Sequence, residues 1–279
     1  MAERGKKRGA EKVPLWVVKA GSEMVVGGGP LLIRDWMRQV ADLRRAHGIR
    51  VIWVTSGAIA SARLQMRRSW SKLPEKQALS AIGQPLIMDA YNLALRTCGL
   101  VAAQVLLTND DMADVKRARN LKNSLSTLLK WDAVPILNEN DAVATEEIQF
   151  GDNDSLSARV AEMMKANQLV ILTDVAGLHD RAPKVLRGAR LIAEVPADDA
   201  KGRAERSRLL RGLDVGGKSR HGSGGMASKV QAALRAQAAG VTTWLVKGDE
   251  PDGLLALANG GCAGTVFRAK SKRERGRRT

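Results

Sequence analysis

Short apolar runs alternate along the chain with stretches in which apolar residues recur every three or four positions. Leu15–Lys19, Val51–Thr55, Val101–Thr108, Val134–Leu137, Leu169–Thr173 and Val241–Val246 have the first character and read as strands. Leu31 to His47 carries Leu32, Trp36, Val40 and Leu43 at helical spacing. Pro74–Thr97, Met112–Trp131, Leu156–Asn167 and Met226–Ala239 read as further helices, with a break expected in the first of them near Gly83-Gln84-Pro85. Lys184–Leu213 is charged and less regular. This β-α alternation implies an α/β fold, a mostly parallel sheet with helices on both faces. Strands that are apolar almost throughout suit a sheet covered on both sides. No solenoid-period repeat and no linker divides the chain, so one domain is expected over residues 13–267.

Composition changes this picture little. The chain has 279 residues and is 44% hydrophobic, enough for one large core. No run of 18 apolar residues is present, so no membrane-spanning helix is expected. MAERGKKRGAEK lacks the apolar stretch of a secretory signal. Cys98 and Cys262 lack metal-ligand spacing and read as reduced thiols of a cytoplasmic protein. The net charge of +16 raises the question of nucleic acid. Residues 1–12 hold five basic and two acidic side chains, and residues 268–279 hold seven and one, so more than half of the excess lies in two tails. Those tails read as disordered, solubilising segments. With one Tyr and two Phe, a base-stacking platform is poorly supplied, and nucleic acid is not expected as the main partner.

Polar residues recur just beyond the strands: Lys19, Ser56, Asn138 and Thr173-Asp174. In open parallel sheets ligands bind beyond the carboxyl ends of strands, so these positions point at one cleft. VVKAGS, Val17 to Ser22, sets an ammonium beside exposed backbone N–H groups, which suits phosphate, although a surface lysine before a turn looks the same. The spacing is not that of a P-loop. In TSGAIAS, Thr55 to Ser61, Gly57 allows close approach of a ligand and Ser56 can donate to a carboxylate or cap a helix.

NENDAVATEEIQFGDND, Asn138 to Asp154, gathers amides and carboxylates in a short span. A calcium loop is excluded because the glycine at its sixth position and the glutamate at its twelfth are missing. A solvated acidic loop, with Asp154 as a helix cap, is one reading. The other has Asp141 and Asn153 holding a substrate amine or carboxylate and Asp154 orienting cationic groups. HGSGGMASK, His221 to Lys229, opens a helix with glycines, so free N–H groups and the helix dipole face an anion. A flexible linker into an ordinary helix is the plainer reading. His47, His179 and His221 share no motif, and none is given a catalytic role.

Taken together, VVKAGS, VTSGAIA, AIGQ, QVLLT, the NENDAVAT…GDND block, ILTDVAGL and GSGGMASK resemble the amino-acid kinase family, in its glutamate 5-kinase branch. They occur in that family's order from about Val17 to Gly253. The resemblance implies an αβα sandwich and transfer of the ATP γ-phosphoryl to the side-chain carboxylate of L-glutamate, the first step of proline synthesis. It implies that Ser56, Asp141 and Asn153 bind glutamate. Lys19, Gly21, Thr173, Asp174 and Ser223, Gly224, Gly225, Met226, Ala227, Ser228 and Lys229 would bind ATP. Lys19 and Lys229 would stabilise the transferring phosphoryl, with Asp154 holding both. Mg²⁺ would accompany ATP, and no protein metal site is assigned. Dimers or tetramers and feedback inhibition by proline are family properties. The sequence given ends soon after the kinase domain, so the C-terminal PUA domain of many relatives is not expected. The chain departs from the family at GLHDRAPK, where GLYTADPR is usual, and at Ala20 and Glu23. Two other readings stand beside this one: a related kinase with another acceptor, or a degenerate kinase fold that binds nucleic acid or a partner through its basic charge.

Overall fold

The computed structural model describes residues 13–67, 72–143, 145, 153–181, 188–199, 202–211, 225–261 and 264–270. Residues 1–12, Ser223, Gly224, His221, Cys262 and the Ala182-Pro183 departure lie outside them. Eight strands form one sheet: β1 (Leu15–Ala20), β2 (Arg50–Val54), β3 (Ala102–Leu107), β4 (Val134–Glu139), β5 (Gln168–Thr173), β6 (Glu194–Val195), β7 (Thr242–Lys247) and β8 (Gly264–Phe267). Their order is β3-β4-β2-β1-β5-β7-β8-β6, and every pairing except β7 with β8 is parallel. The helices are α1 (Ser22–His47), α2 (Ala58–Met66), α3 (Leu73–Thr97), α4 (Asn109–Ala113), α5 (Val115–Lys130), α6 (Asn153–Met164), α7 (Arg203–Arg211), α8 (Met226–Ala238) and α9 (Gly253–Ala258).

Alternation along the strands assigns each side chain to one of two cores. Trp16, Val18 and Ala20 of β1, with Trp53 of β2 and Leu172 of β5, pack against Trp36 and Met37 of α1, Tyr91 and Leu95 of α3 and Leu254 of α9. Val17, Ile52 and Ile171, one residue out of phase, pack against Leu125 of α5, Ala158 of α6 and Ala233 of α8. Lys19 shares the parity of Val17, which directs it to the α6–α8 layer. In the other layer a buried aromatic row runs under the sheet's carboxyl edge. Trp36 donates from Nε1 to the Gly248 carbonyl at 2.7 Å, and its ring centroid lies 5.4 Å from that of Trp53. Trp53 donates to the Tyr91 hydroxyl at 2.8 Å, which lies 3.0 Å from Thr55 Oγ1. Each indole N–H thus has an acceptor, as burial requires.

Several elements differ from the sequence reading. The first helix starts at Ser22 rather than Leu31. It breaks at Gly29, with φ 58° and ψ −159°, and continues from Pro30, which suits a first helical turn. Met112–Trp131 is two helices divided at Asp114, whose backbone is extended and whose Oδ1 accepts from the Arg117 N–H at 2.8 Å. Thr108 and Asp111 form a reciprocal capping box ahead of it. Short α2, α9 and β8 carry too little period to be legible. The expected break in α3 does not occur, and the helix runs through Pro85.

Gly83 explains how α3 sits. A Cβ there would stand 1.8 Å from the Ala58 carbonyl oxygen, so only glycine lets α3 press onto the first turn of α2. Gly83→Ala is expected to cost about 1–3 kcal/mol, the range of an overpacked core. Gly27→Ala, in an exposed helical position with nothing within 4 Å of the added carbon, should instead add about 0.5–1 kcal/mol. Urea unfolding of both variants checks the pair; equal effects would mean that the α2–α3 contact is looser than described.

Candidate active site

The carboxyl ends of β1, β2, β4 and β5 meet where α1, α2, α6 and α8 begin. Gly21 and Gly225 precede α1 and α8 in extended conformation, and Gly57 precedes α2 with φ 98°; among the described residues none of the three helices has a side-chain cap on its first N–H groups. Ser56 therefore does not act as the cap that its sequence position allowed. Uncapped first turns leave N–H donors and the positive dipole end available to anions. A Cβ on Gly21 would lie 3.5 Å from Lys19 Nζ, which puts the α1 N-terminus beside that ammonium.

Asp154 lies in the first turn of α6 and is fully buried. Lys19 Nζ approaches its Oδ1 at 2.6 Å, and Lys229 Nζ its Oδ2 at 3.1 Å. The Ser228 hydroxyl also lies 2.9 Å from Oδ2 and 2.9 Å from the Gly225 carbonyl. Both lysine side chains are at least nine-tenths buried. Burial opposes the charge on Asp154 most strongly, yet Lys19 and then Lys229, helped by the Lys19 and Ser228 hydrogen bonds, hold the carboxyl well below the usual carboxylate range. So Asp154, one candidate for a helix cap, spends its oxygens on two cations and a hydroxyl from two other elements.

One residue earlier, Asn153 turns to different partners. Its Nδ2 donates to Ser56 Oγ at 2.9 Å and to Asn138 Oδ1 at 2.9 Å. Asn138 donates from Nδ2 to Gln84 Oε1 at 2.8 Å. Asp141 opens a short 3-10 turn after β4 and is hydrogen-bonded by Ser80. Burial pushes its carboxyl up to about 6, and the Ser80 contact offsets only part of that. Ser80 and Gln84 stand one turn apart on α3, so the helix holds Asp141 and Asn138 side by side. Thr173 ends β5, and its hydroxyl lies 3.2 Å from Asp174 Oδ1. Ala227 and Met226 occupy the first turn of α8. The structure thus brings Lys19, Lys229 and Asp154 into contact, joins Ser56 to Asn153, and ties Asp141 to the helix that holds them. Ser80 and Gln84 were not singled out from sequence; the AIGQ motif was the available signal, but its partners lie far along the chain.

The profile of the amino acid kinase family matches residues 14–248. The chain belongs to the amino acid kinase family. Within it, the chain is 42% identical to glutamate 5-kinase of Azoarcus sp. over 263 residues, covering 91% of this chain and 68% of that protein. It is 38% identical to glutamate 5-kinase of Clostridium acetobutylicum over 262 residues, covering 92% of this chain and 95% of that one. Carbamate kinase from Giardia lamblia, solved bound to AMP-PNP, shares the fold with a TM-score of 0.63 and 16% identity, over 93% of this chain and 99% of its own. No helix among the described residues is long and apolar enough to cross a membrane.

In an amino acid kinase of this geometry, removing the central carboxylate leaves two buried ammonium groups facing each other. Asp154→Asn should lower the unfolding free energy by about 3–5 kcal/mol, the cost of breaking a buried ion pair. The carboxyl's folded pKa is depressed, so its contribution is present above its unfolded value near about 4 and is lost as pH falls below it. Urea unfolding at pH 7 and in acid should therefore show the gap between wild type and variant closing as pH falls; a pH-independent gap would remove the charge from the explanation.

Proposed function

We propose that this chain transfers the γ-phosphoryl group of ATP to the side-chain carboxylate of L-glutamate, giving glutamyl 5-phosphate for proline synthesis. The observation that carries the reading is the junction of two unlike subsites on adjacent residues of α6. Asp154 faces two lysines and Asn153 faces Ser56. Lysines and uncapped helix ends suit a polyphosphate. A hydroxyl, a side-chain amide and the Asp141 carboxyl suit an amino acid, with the carboxyl taking its ammonium.

The chemistry asks for positioning rather than for a base. A γ-carboxylate is ionised at neutral pH, so its oxygen attacks the γ-phosphorus directly and ADP leaves with the bonding electrons. What must be overcome is repulsion between two anions. Lys19 and Lys229, held by Asp154, would supply fixed positive charge against the negative oxygens of the transferring group. Among the described residues no cluster of His, Cys, Asp or Glu could cage a metal, and both Asp154 oxygens are taken by cations. Mg²⁺ would enter with the nucleotide and would supply further positive charge against its phosphates. Thr173, Asp174 and the start of α8 complete the nucleotide side of this reading, while Ser223 and Gly224 fall outside the described residues.

Purified protein with glutamate, ATP and Mg²⁺ should form an acyl phosphate that hydroxylamine traps as the hydroxamate. Lys229→Ala should lower kcat by about a hundredfold or more while changing the glutamate KM little, as for a group that acts in the transition state. A variant altered only in KM would refute that role, and no hydroxamate from wild type would refute the activity. Repeating the assay with proline reads the feedback that the family resemblance implies.

The Asp141 role has its own test. Its raised pKa means that the carboxylate is present above about 6 and is lost as pH falls through that value. At saturating ATP, kcat/KM for glutamate should fall roughly tenfold per pH unit below the pKa. Asp141→Asn should be weak throughout and lack this limb; a wild-type profile flat down to pH 5 would sink the assignment.

A further inference from the structure

The hydrogen-bond chain beneath the acceptor side has a direction, and one backbone group sets it. The Glu139 N–H lies 3.0 Å from Asn138 Oδ1, and a backbone N–H can only donate. Asn138 therefore presents its oxygen on that side. Its Nδ2 must then face α3, where Gln84 receives it with Oε1 at 2.8 Å. The same Oδ1 takes one Nδ2 proton of Asn153, whose second Nδ2 proton goes to Ser56 Oγ. Turning Asn138 over would set its NH₂ against the Glu139 N–H, and turning Asn153 over would set its oxygen against Asn138 Oδ1.

Two groups remain uncommitted, and the direction of the chain decides their chemistry. Asn153 Oδ1 is buried and has no hydrogen-bond partner among the described residues. It is left as an acceptor. Ser56 accepts from Asn153 and has no acceptor for its own proton among the described residues, so it is left as a donor. An acceptor beside a donor fits an ammonium beside a carboxylate, the two groups of an α-amino acid.

We propose that Gln84 is a positioning residue for the acceptor substrate: by accepting from Asn138 it completes, with the Glu139 N–H, the pair of contacts that holds the amide orientations making Asn153 an ammonium acceptor and Ser56 a carboxylate donor. The proposal rests on the glutamate reading above and adds a residue that touches no substrate itself. Gln84 is buried, next to the Gly83 that lets α3 lie against α2. Its Nε2 is itself buried with no partner among the described residues, so the side chain is held as an acceptor at the expense of its own donor. Turning it over would bring Nε2 against Asn138 Nδ2, and the Asn138 orientation forbids the turn.

Gln84→Met keeps the length of the side chain and removes the acceptor; Gln84→Glu keeps an acceptor. In the hydroxamate assay, Gln84→Met should raise the glutamate KM about tenfold, the scale of one misdirected hydrogen bond, and leave the ATP KM within twofold. It should also shrink the preference for glutamate over glutarate, which lacks the ammonium, by a similar factor. Gln84→Glu should restore most of both. A Gln84→Met glutamate KM within twofold of wild type, or equal rises in both KM values, overturns the proposal. Hydroxamate formation by wild type reads the activity and the variant ratios read the role of Gln84, so the two fail separately. Should wild type form none, the side-chain NH₂ resonances of Asn138 and Asn153 still report: their protection from exchange should be lost in Gln84→Met, and unchanged protection overturns the role.

Discussion

A buried carboxylate bridging two buried ammonium groups is the contact on which the rest of this site depends. Asp154, Lys19 and Lys229 come from α6, β1 and α8, elements far apart in sequence. Burial of any one of these charges alone would be strongly unfavourable. Together they carry a net positive charge at the carboxyl edge of the sheet, next to helix ends that lack side-chain caps. The ion pairs thus tie the first turns of α6 and α8 to the carboxyl end of β1. They also leave an electrostatic surplus of the sign that phosphate groups require.

The two-layer arrangement gives this site its division of labour. Strand parity sends Lys19 toward α6 and α8, and sends Trp53 toward α1 and α3. The Lys19–Asp154–Lys229 cluster is thereby tied to one layer. Ser80, Gln84 and the Trp53–Tyr91–Thr55 contacts belong to the other. The first turn of α6 takes part in both, because Asn153 and Asp154 point about 100° apart around the helix axis. Under the proposed reaction, two substrates that repel each other would meet at that turn.

Much of this was legible in the sequence where a local rule governs. Lys19 follows a buried strand and is followed by glycine, and its parity could be counted. The glycines ahead of α8 announced an uncapped helix end. Asp154 was ambiguous, because a residue in a first helical turn looks the same whether it caps its own helix or reaches two distant lysines. The start of α1 was missed because Val25 to Pro30 reads as a breaker, and the chain absorbs the break with one left-handed glycine. Gln84 and Ser80 were invisible for a different reason. Their partners Asn138 and Asp141 lie more than 50 residues away, and the contacts exist only because Gly83 lets α3 approach the Ala58 carbonyl. The departure at His179 sits in a single bridge to Leu191, with Nδ1 3.1 Å from the Gly177 carbonyl. Ala182-Pro183, the other half of that departure, falls outside the described residues.

The basic charge of the chain offers a rival account, in which the kinase fold is only a scaffold. The interior argues against it. A scaffold needs no buried Lys–Asp–Lys cluster, since apolar side chains of similar volume hold such a position as well or better. Nor does it need Asn153 Oδ1 and Gln84 Nε2 left buried with no partner among the described residues. Ordinary packing would remove both kinds of group. Under the proposed reaction they make sense together: phosphate oxygens would complete the cations, and an amino acid the amides. Half of the surplus charge can sit in the tails and serve some other end without altering that inference, because none of these groups lies in a tail.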